Sequence, residues 1–114
     1  MLKISVIAKV LFEGIHCWPE CPFEDVKFLK DPHRHIFHIT VKKEVDHDDR
    51  QVEIIKLKRE IEIELKAQFP DGQMGYTSCE QLAAWLIQKK KLSYCQVLED
   101  NENGAEVTKD YSLL

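Results

Sequence analysis

The spacing of apolar residues changes twice along this chain, from the alternation typical of β-strands to helical spacing and back. Phe37, Ile39 and Val41 alternate with polar residues, whereas Ile61 and Leu65 are four residues apart. The predicted order is strand 2–13, strand 33–45, helix 51–68, helix 77–91, strand 94–99 and strand 105–109. This ββααββ order predicts an α+β fold.

Capping and turn residues stand at the boundaries of these segments. Asp48 or Asp49 can cap the first helix. Thr77-x-x-Glu80 and Ser78-x-x-Gln81 both fit a capping box at the start of the second helix. Asn103-Gly104 is typical of a hairpin turn, so we expect residues 101–104 to connect the last two strands.

One domain is expected to span residues 1–114, because this length allows one hydrophobic core and is too short for two ordinary domains. Two helices can cover only one face of a four-stranded antiparallel sheet. We therefore expect another subunit, or some other protection, at the opposite face and at the sheet edges.

The charge pattern argues against nucleic-acid and membrane partners. The formal net charge is -4, and the basic residues alternate with acidic ones except in Lys89-Lys90-Lys91, which suits the last turn of a helix. The longest apolar stretch is far too short to span a membrane, and residues 1–8 lack the long apolar segment of a signal peptide. A cytoplasmic protein is expected.

The four cysteines (Cys17, Cys21, Cys79 and Cys95) are expected to be free thiols, since a domain of this size without an export signal needs no disulfide. A zinc knuckle formed by His16, Cys17 and Cys21 is the alternative. No second closely spaced pair completes such a knuckle.

Three histidines have the spacing of a metal site. His33 and His35 lie two residues apart in a predicted strand, so both side chains leave the same face. His16 stands at the start of a loop of about twenty residues that ends at His33, and loops of that length are usually functional. Three neutral imidazoles with an open fourth position form a catalytic zinc site. His16, His33 and His35 are therefore the predicted ligands of Zn²⁺.

Five segments resemble, in the same order, motifs of the 6-pyruvoyl- and 6-carboxy-tetrahydropterin synthases. Phe12-Glu13-Gly14-Ile15-His16 resembles Phe-x-x-x-His, and His33-Arg34-His35-Ile36-Phe37 resembles His-Gly-His-x-aromatic. Residues 51–58 resemble the segment that leads into the first helix. Residues 78–86 resemble Thr-x-Glu-x-Leu-Ala-x-Trp-Ile, and Val97-Leu98-Glu99 resembles the late Val-x-Glu. The chain is similar to a divergent member of this family over most of its length.

This resemblance implies a tunnelling fold whose subunits assemble into barrels, as a homo-oligomer of the dimer-of-trimers (hexamer) kind. It also implies that the three histidines bind zinc and that Glu99 holds the edge of a pterin or purine-like ring. A carboxylate suits that edge because it can accept two parallel N–H bonds. Ser78 and Glu80 are expected beside the same ligand, in addition to any role in capping the helix.

The chain departs from the family at the residues that move protons. Leu29 stands where the catalytic cysteine commonly lies, and leucine cannot take a proton. Asp71 alone matches the family's Asp-His pair, because no histidine follows His47. The candidate catalytic residues are therefore Cys79, which lies near a helix N-terminus that favours a thiolate, and Asp71. Cys17 and Cys21 remain alternatives to Cys79, and Glu20, Glu24 and Asp25 remain alternatives to Asp71. The alternative base is water on a three-histidine zinc ion, which can have a pKa of about 7.

We therefore expect a zinc-dependent, synthase-like carbon–oxygen lyase that acts on a dihydropterin or purine-like substrate with a non-standard catalytic base. The alternative is a non-catalytic protein that binds a pterin or purine nucleotide and retains the pocket and the metal site. A weaker alternative is a structural oligomer whose metal has no functional role.

Overall fold

Two long strands, β1 (Ile4–His16) and β2 (His33–Val45), pair antiparallel along their whole length at the centre of the sheet. The computed structural model describes residues 2–111. β2 also pairs antiparallel with β4 (Tyr94–Glu99), which pairs in turn with β5 (Asn103–Thr108). A short strand, β3 (Gln73–Gly75), runs parallel to the end of β1. In this part of the chain the fold is α+β, with a five-stranded mixed sheet in the order β3-β1-β2-β4-β5.

Two α-helices, α1 (Ile54–Gln68) and α2 (Cys79–Lys90), pack on one face of this sheet. α1 buries Leu57, Ile61 and Leu65, which are four residues apart and therefore lie on one side of the helix. The apolar residues that α2 buries are Cys79, Leu82, Ala83, Leu86 and Ile87. They pack against alternate residues of the central strands, including Val10, Phe37 and Ile39. The core therefore lies between the helices and one sheet face.

The predicted α+β class is confirmed, but within residues 2–111 the sheet has five strands rather than the predicted four, and it is mixed rather than purely antiparallel. Gly72, with φ of +73°, turns the chain after α1 and leads residues 73–75 alongside β1. An added Cβ at Gly72 would lie 2.6 Å from the carbonyl oxygen of Glu13, so this approach requires glycine. A strand of three residues is too short to show an alternating pattern, which is why sequence spacing did not reveal it.

Two local predictions were wrong in position. α1 is capped by Glu53, whose carboxylate accepts the backbone N–H groups of Ile55 and Lys56, rather than by Asp48 or Asp49. The last hairpin turns at Asp100 and Asn101, which have positive φ, and Asn103-Gly104 already belongs to β5. The capping box of Ser78 and Gln81 is confirmed.

The sheet face opposite the helices carries exposed apolar side chains, among them Ile7, Leu11 and Ile36. These side chains come from the two central strands and alternate with the core residues. Within residues 2–111, no helix is both long enough and apolar enough to cross a membrane.

Candidate metal centre

The three predicted histidines converge at one end of the central strand pair. β1 continues to His16, so this residue ends a strand rather than beginning a loop, and it lies directly opposite His33. His35 follows two residues later on the same face. The ring centroid of His16 lies 4.5 Å from that of His33 and 5.5 Å from that of His35. One nitrogen from each of the three rings lies within 4.8 Å of the other two. The three rings therefore face a common point.

Each of these rings is oriented by a hydrogen bond at Nδ1. His16 donates to the carbonyl oxygen of Thr77 (2.8 Å), His33 to that of Asp31 (2.8 Å), and His35 to the Asp100 carboxylate (2.7 Å). A carbonyl oxygen or an ionised carboxylate can only accept a hydrogen bond, so the proton resides on Nδ1. The lone pair of each neutral ring is then on Nε2. Metal-binding histidines are oriented by such outer hydrogen bonds.

The inward nitrogens have the environment that a metal ion requires. Among the described residues 2–111, Nε2 of His16 and Nε2 of His35 are buried and form no hydrogen bond. A buried polar atom without a partner is costly, and a bound ion or water is one of the explanations for such an atom. Phe37 lies below both rings, with centroids 5.3 Å and 5.7 Å away, so the floor of the site is apolar. The donor set therefore fits a divalent ion such as Zn²⁺.

Asp100 is fixed by two donors. Its second oxygen accepts the backbone N–H of Ile36 at 3.0 Å, while the first binds His35. These hydrogen bonds, first that of His35 and then that of the Ile36 amide, lower the pKa of the Asp100 carboxyl below its usual value. The carboxylate is therefore kept ionised, and the orientation of His35 is maintained.

Glu99 directs its carboxylate at the same point. Its Oε2 lies 3.0 Å from Nε2 of His16, and its Oε1 lies 3.7 Å from Nε2 of His35. With the proton of neutral His16 on Nδ1, both Nε2 and the carboxylate oxygen are acceptors, so no hydrogen bond joins them. The predicted ring anchor is thus in the metal centre itself.

A cavity of about 550 Å³ opens from the histidines toward the N-terminus of α2. Its lining includes His16, His33 and Glu99, together with the predicted ligand-binding residues Ser78 and Glu80. Ser78 also caps α2, since its hydroxyl accepts the N–H of Gln81 at 3.1 Å. Small-molecule sites typically have volumes of roughly 300–1,000 Å³. The cavity is large enough for a small ring compound beside the metal centre.

Cys79 lines this cavity but does not have the character of a thiolate. Burial, together with the nearby Glu99 and Glu80 carboxylates, raises the pKa of the Cys79 thiol to about 12. This effect outweighs the favourable helix N-terminus from which a reactive thiolate was expected. At neutral pH Cys79 is therefore a protonated thiol that can donate a hydrogen bond.

Asp71, the other candidate catalytic residue, and Leu29, which stands in place of a cysteine, occupy different places. Asp71 lies on the exposed turn Pro70–Gly72 and is not part of the cavity lining. Leu29, which stands where the motif resemblance leads us to expect a cysteine, does line the cavity. The prediction of free thiols is confirmed, since all four cysteines lie in the described part of the chain and none forms a disulfide. The buried Cys21 thiol contacts the carbonyl oxygens of Phe23 and Val26 rather than the histidines.

Sequence reasoning missed the groups that orient the rings. Thr77 and Asp31 contribute backbone oxygens, which leave no residue-type signal in a sequence. Asp100 has a detectable signal, because a carboxylate that follows Glu99 at a turn could have been considered beside a predicted histidine site.

Comparison of the sequence with family models and with curated proteins finds no match. The interpretation of this centre consequently depends on its geometry and on the motif resemblance described above.

Proposed function

We propose that this chain is a cytoplasmic, zinc-dependent protein of the tetrahydropterin-synthase kind that acts on a dihydropterin or purine-like compound. The observation that supports this proposal is the convergence of three Nδ1-anchored histidines on one point. When bound there, zinc would polarise a carbonyl or hydroxyl oxygen of the ligand.

Four residues from the motifs that carry the resemblance line one cavity although they are distant in sequence. His16, His33, Ser78 and Glu99 come from the ends of four different elements. In the proposed complex the ring occupies the cavity with its side chain toward the histidines. Ser78 and Glu80 at the start of α2 contact the ligand, and Glu99 recognises the amino-pyrimidine edge.

The proposed reaction belongs to the carbon–oxygen lyase class and uses a proton-transfer group other than the usual cysteine. Leu29 occupies that cysteine's place in the cavity lining, and Cys79 is protonated at neutral pH. Cys79 is therefore proposed as a proton donor rather than as a base. The second candidate catalytic residue, Asp71, reaches a cavity only if a neighbouring subunit provides it.

A second candidate function is that of a pterin or purine-nucleotide binding protein without turnover. Leu29 specifically favours it, because an apolar side chain replaces the expected proton acceptor while the histidines and the cavity are retained. The two functions require the same metal centre and the same ligand class.

A turnover assay distinguishes these functions. Purified, zinc-loaded protein is incubated with dihydroneopterin triphosphate and with related pterin and purine compounds, and products are separated by chromatography. The matched pair of variants is His33→Ala and His38→Ala, because both histidines are on β2 but on opposite faces. Product formation that is lost only in His33→Ala supports the enzyme. Saturable binding without product, lost in the same variant, supports the binding protein.

The proposed oligomer is a barrel built from the sheet, in the manner of the tunnelling fold. The exposed Ile7, Leu11 and Ile36 on the face without helices support this proposal, because an apolar sheet face favours burial against another surface. Sedimentation velocity tests it. A hexamer that Leu11→Glu dissociates is expected, and a wild-type monomer at micromolar concentration would contradict it.

A further inference from the structure

The Glu99 carboxylate lies where two buried lone pairs already meet. Nε2 of His16 is 3.0 Å from one of its oxygens, and Nε2 of His35 is 3.7 Å from the other. Because both rings donate from Nδ1, each Nε2 is an acceptor when the ring is neutral. An ionised carboxylate is also an acceptor. This arrangement is repulsive unless a cation lies between the groups.

One added proton cannot provide a donor for both Nε2 atoms at once. Protonation of His16 would provide a donor to Glu99 but would leave Nε2 of His35 without a partner. A divalent ion held by Nε2 of His16, Nε2 of His35 and the Glu99 carboxylate, with His33 as the remaining ligand, would satisfy all four groups. The His16 side chain is 10% exposed and that of Glu99 is 29% exposed, so water screens the attraction between the carboxylate and a cation only partly.

The distances agree with the spacing of ligands around zinc. With Zn–N and Zn–O bonds of about 2.0–2.1 Å, two ligand atoms of a tetrahedral site are roughly 3.3–3.4 Å apart. The two Glu99 distances, 3.0 Å from Oε2 to Nε2 of His16 and 3.7 Å from Oε1 to Nε2 of His35, lie on either side of that value. The ring nitrogens of the three histidines lie within 4.8 Å of one another, so a bound ion would draw them slightly closer together. The strand register explains why: Glu99 lies opposite Phe37 and therefore points to the same sheet face as His35.

We propose that Glu99 is the fourth protein ligand of the metal, so that the ligand-free centre is closed by three histidines and one carboxylate. This inference depends on the three-histidine metal site of the proposed function and deepens it. With zinc bound, release of the Glu99 carboxylate would open the fourth position to a substrate oxygen and would free the carboxylate for the ring edge of the bound compound. The residue thus couples ligand entry to opening of the metal site.

Zinc affinity measured without any organic ligand tests this inference. Wild type, Glu99→Gln and Glu102→Gln are titrated with Zn²⁺ against a chromogenic chelator. Glu102 is a matched control, because it is an exposed glutamate of the same hairpin. Loss of an outer-shell partner typically weakens metal binding 10–100-fold, so loss of a direct ligand is expected to weaken it at least about 100-fold. Glu102→Gln should bind as wild type does, and equal affinity of all three proteins would overturn the inference.

A crystal structure of the wild-type protein with Zn²⁺ provides a readout that needs no variant. A Glu99 oxygen is expected at about 2.0–2.2 Å from the ion. A solvent molecule in the fourth position, with Glu99 turned away, would overturn the inference but leave the three-histidine site intact. Zinc binding that survives His33→Ala unchanged would instead contradict the metal site of the proposed function, and with it this inference.

Discussion

Replacing Asp100 with glycine should weaken zinc binding about tenfold, because the substitution removes the carboxylate that holds the ring of His35 through a 2.7 Å hydrogen bond. Glycine is the appropriate replacement because Asp100 has φ of +53°, where a larger residue such as alanine would add backbone strain. Outer-shell partners typically contribute factors of 10–100 in affinity. The lower end applies here, since the Asp100 side chain is 49% exposed and water can replace the lost acceptor.

The measurement is a competition titration with a chromogenic chelator, carried out at constant pH on both glycine variants of the turn. Asn101→Gly is the matched control, because Asn101 also has positive φ (61°) in the same turn. It should bind zinc as wild type does. If Asp100→Gly and Asn101→Gly bind zinc equally well, Asp100 does not orient a metal ligand, and the reasoning from the Nδ1 hydrogen bonds is refuted.

Three further predictions concern protonation and helix capping. Because the pKa of the Cys79 thiol is raised to about 12, iodoacetamide at pH 8 should modify Cys79 only after unfolding; rapid modification of the folded protein, detected by peptide mass spectrometry, would contradict this. Hydrogen bonds lower the pKa of the Asp100 carboxyl from 3.8, so the metal-free wild type should be more stable than Asp100→Asn above about pH 3.8. This difference in stability should disappear as the pH falls through the native pKa of Asp100. Acid unfolding followed by circular dichroism tests this, and a difference that grew toward low pH would contradict it. Ser78→Ala should lower the free energy of unfolding by about 1 kcal/mol, whereas Ser78→Asp should retain most of it; equal destabilisation by both in urea would argue against a capping role.

The long elements could be predicted from spacing because their apolar residues follow one period over many positions. The predicted boundaries of β2 and β4 agree with Val45 and Glu99 as the ends of those strands. The start of α1 could not be placed, since Glu53 is not among the residues that typically cap helices and Asp48 and Asp49 are. Short elements such as β3 carry too few residues for any pattern.

The histidine cluster was predictable in part for the same reason. His33 and His35 belong to one strand, so alternation alone places them on one face. The position of His16 opposite His33, and the direction of Glu99, depend on the register between separate strands. The partners of the rings depend on contacts across 61 residues for His16 and 65 residues for His35, which local pattern does not encode.

Elemental analysis of untagged protein tests the metal centre most directly. Wild type is measured beside the double variant His33→Ala/His35→Ala, with circular dichroism to verify that both are folded. We predict about one zinc ion per chain in wild type and none above background in the variant. Folded wild-type protein that holds no metal, even after reconstitution with Zn²⁺, would contradict the central claim that these histidines form a metal site.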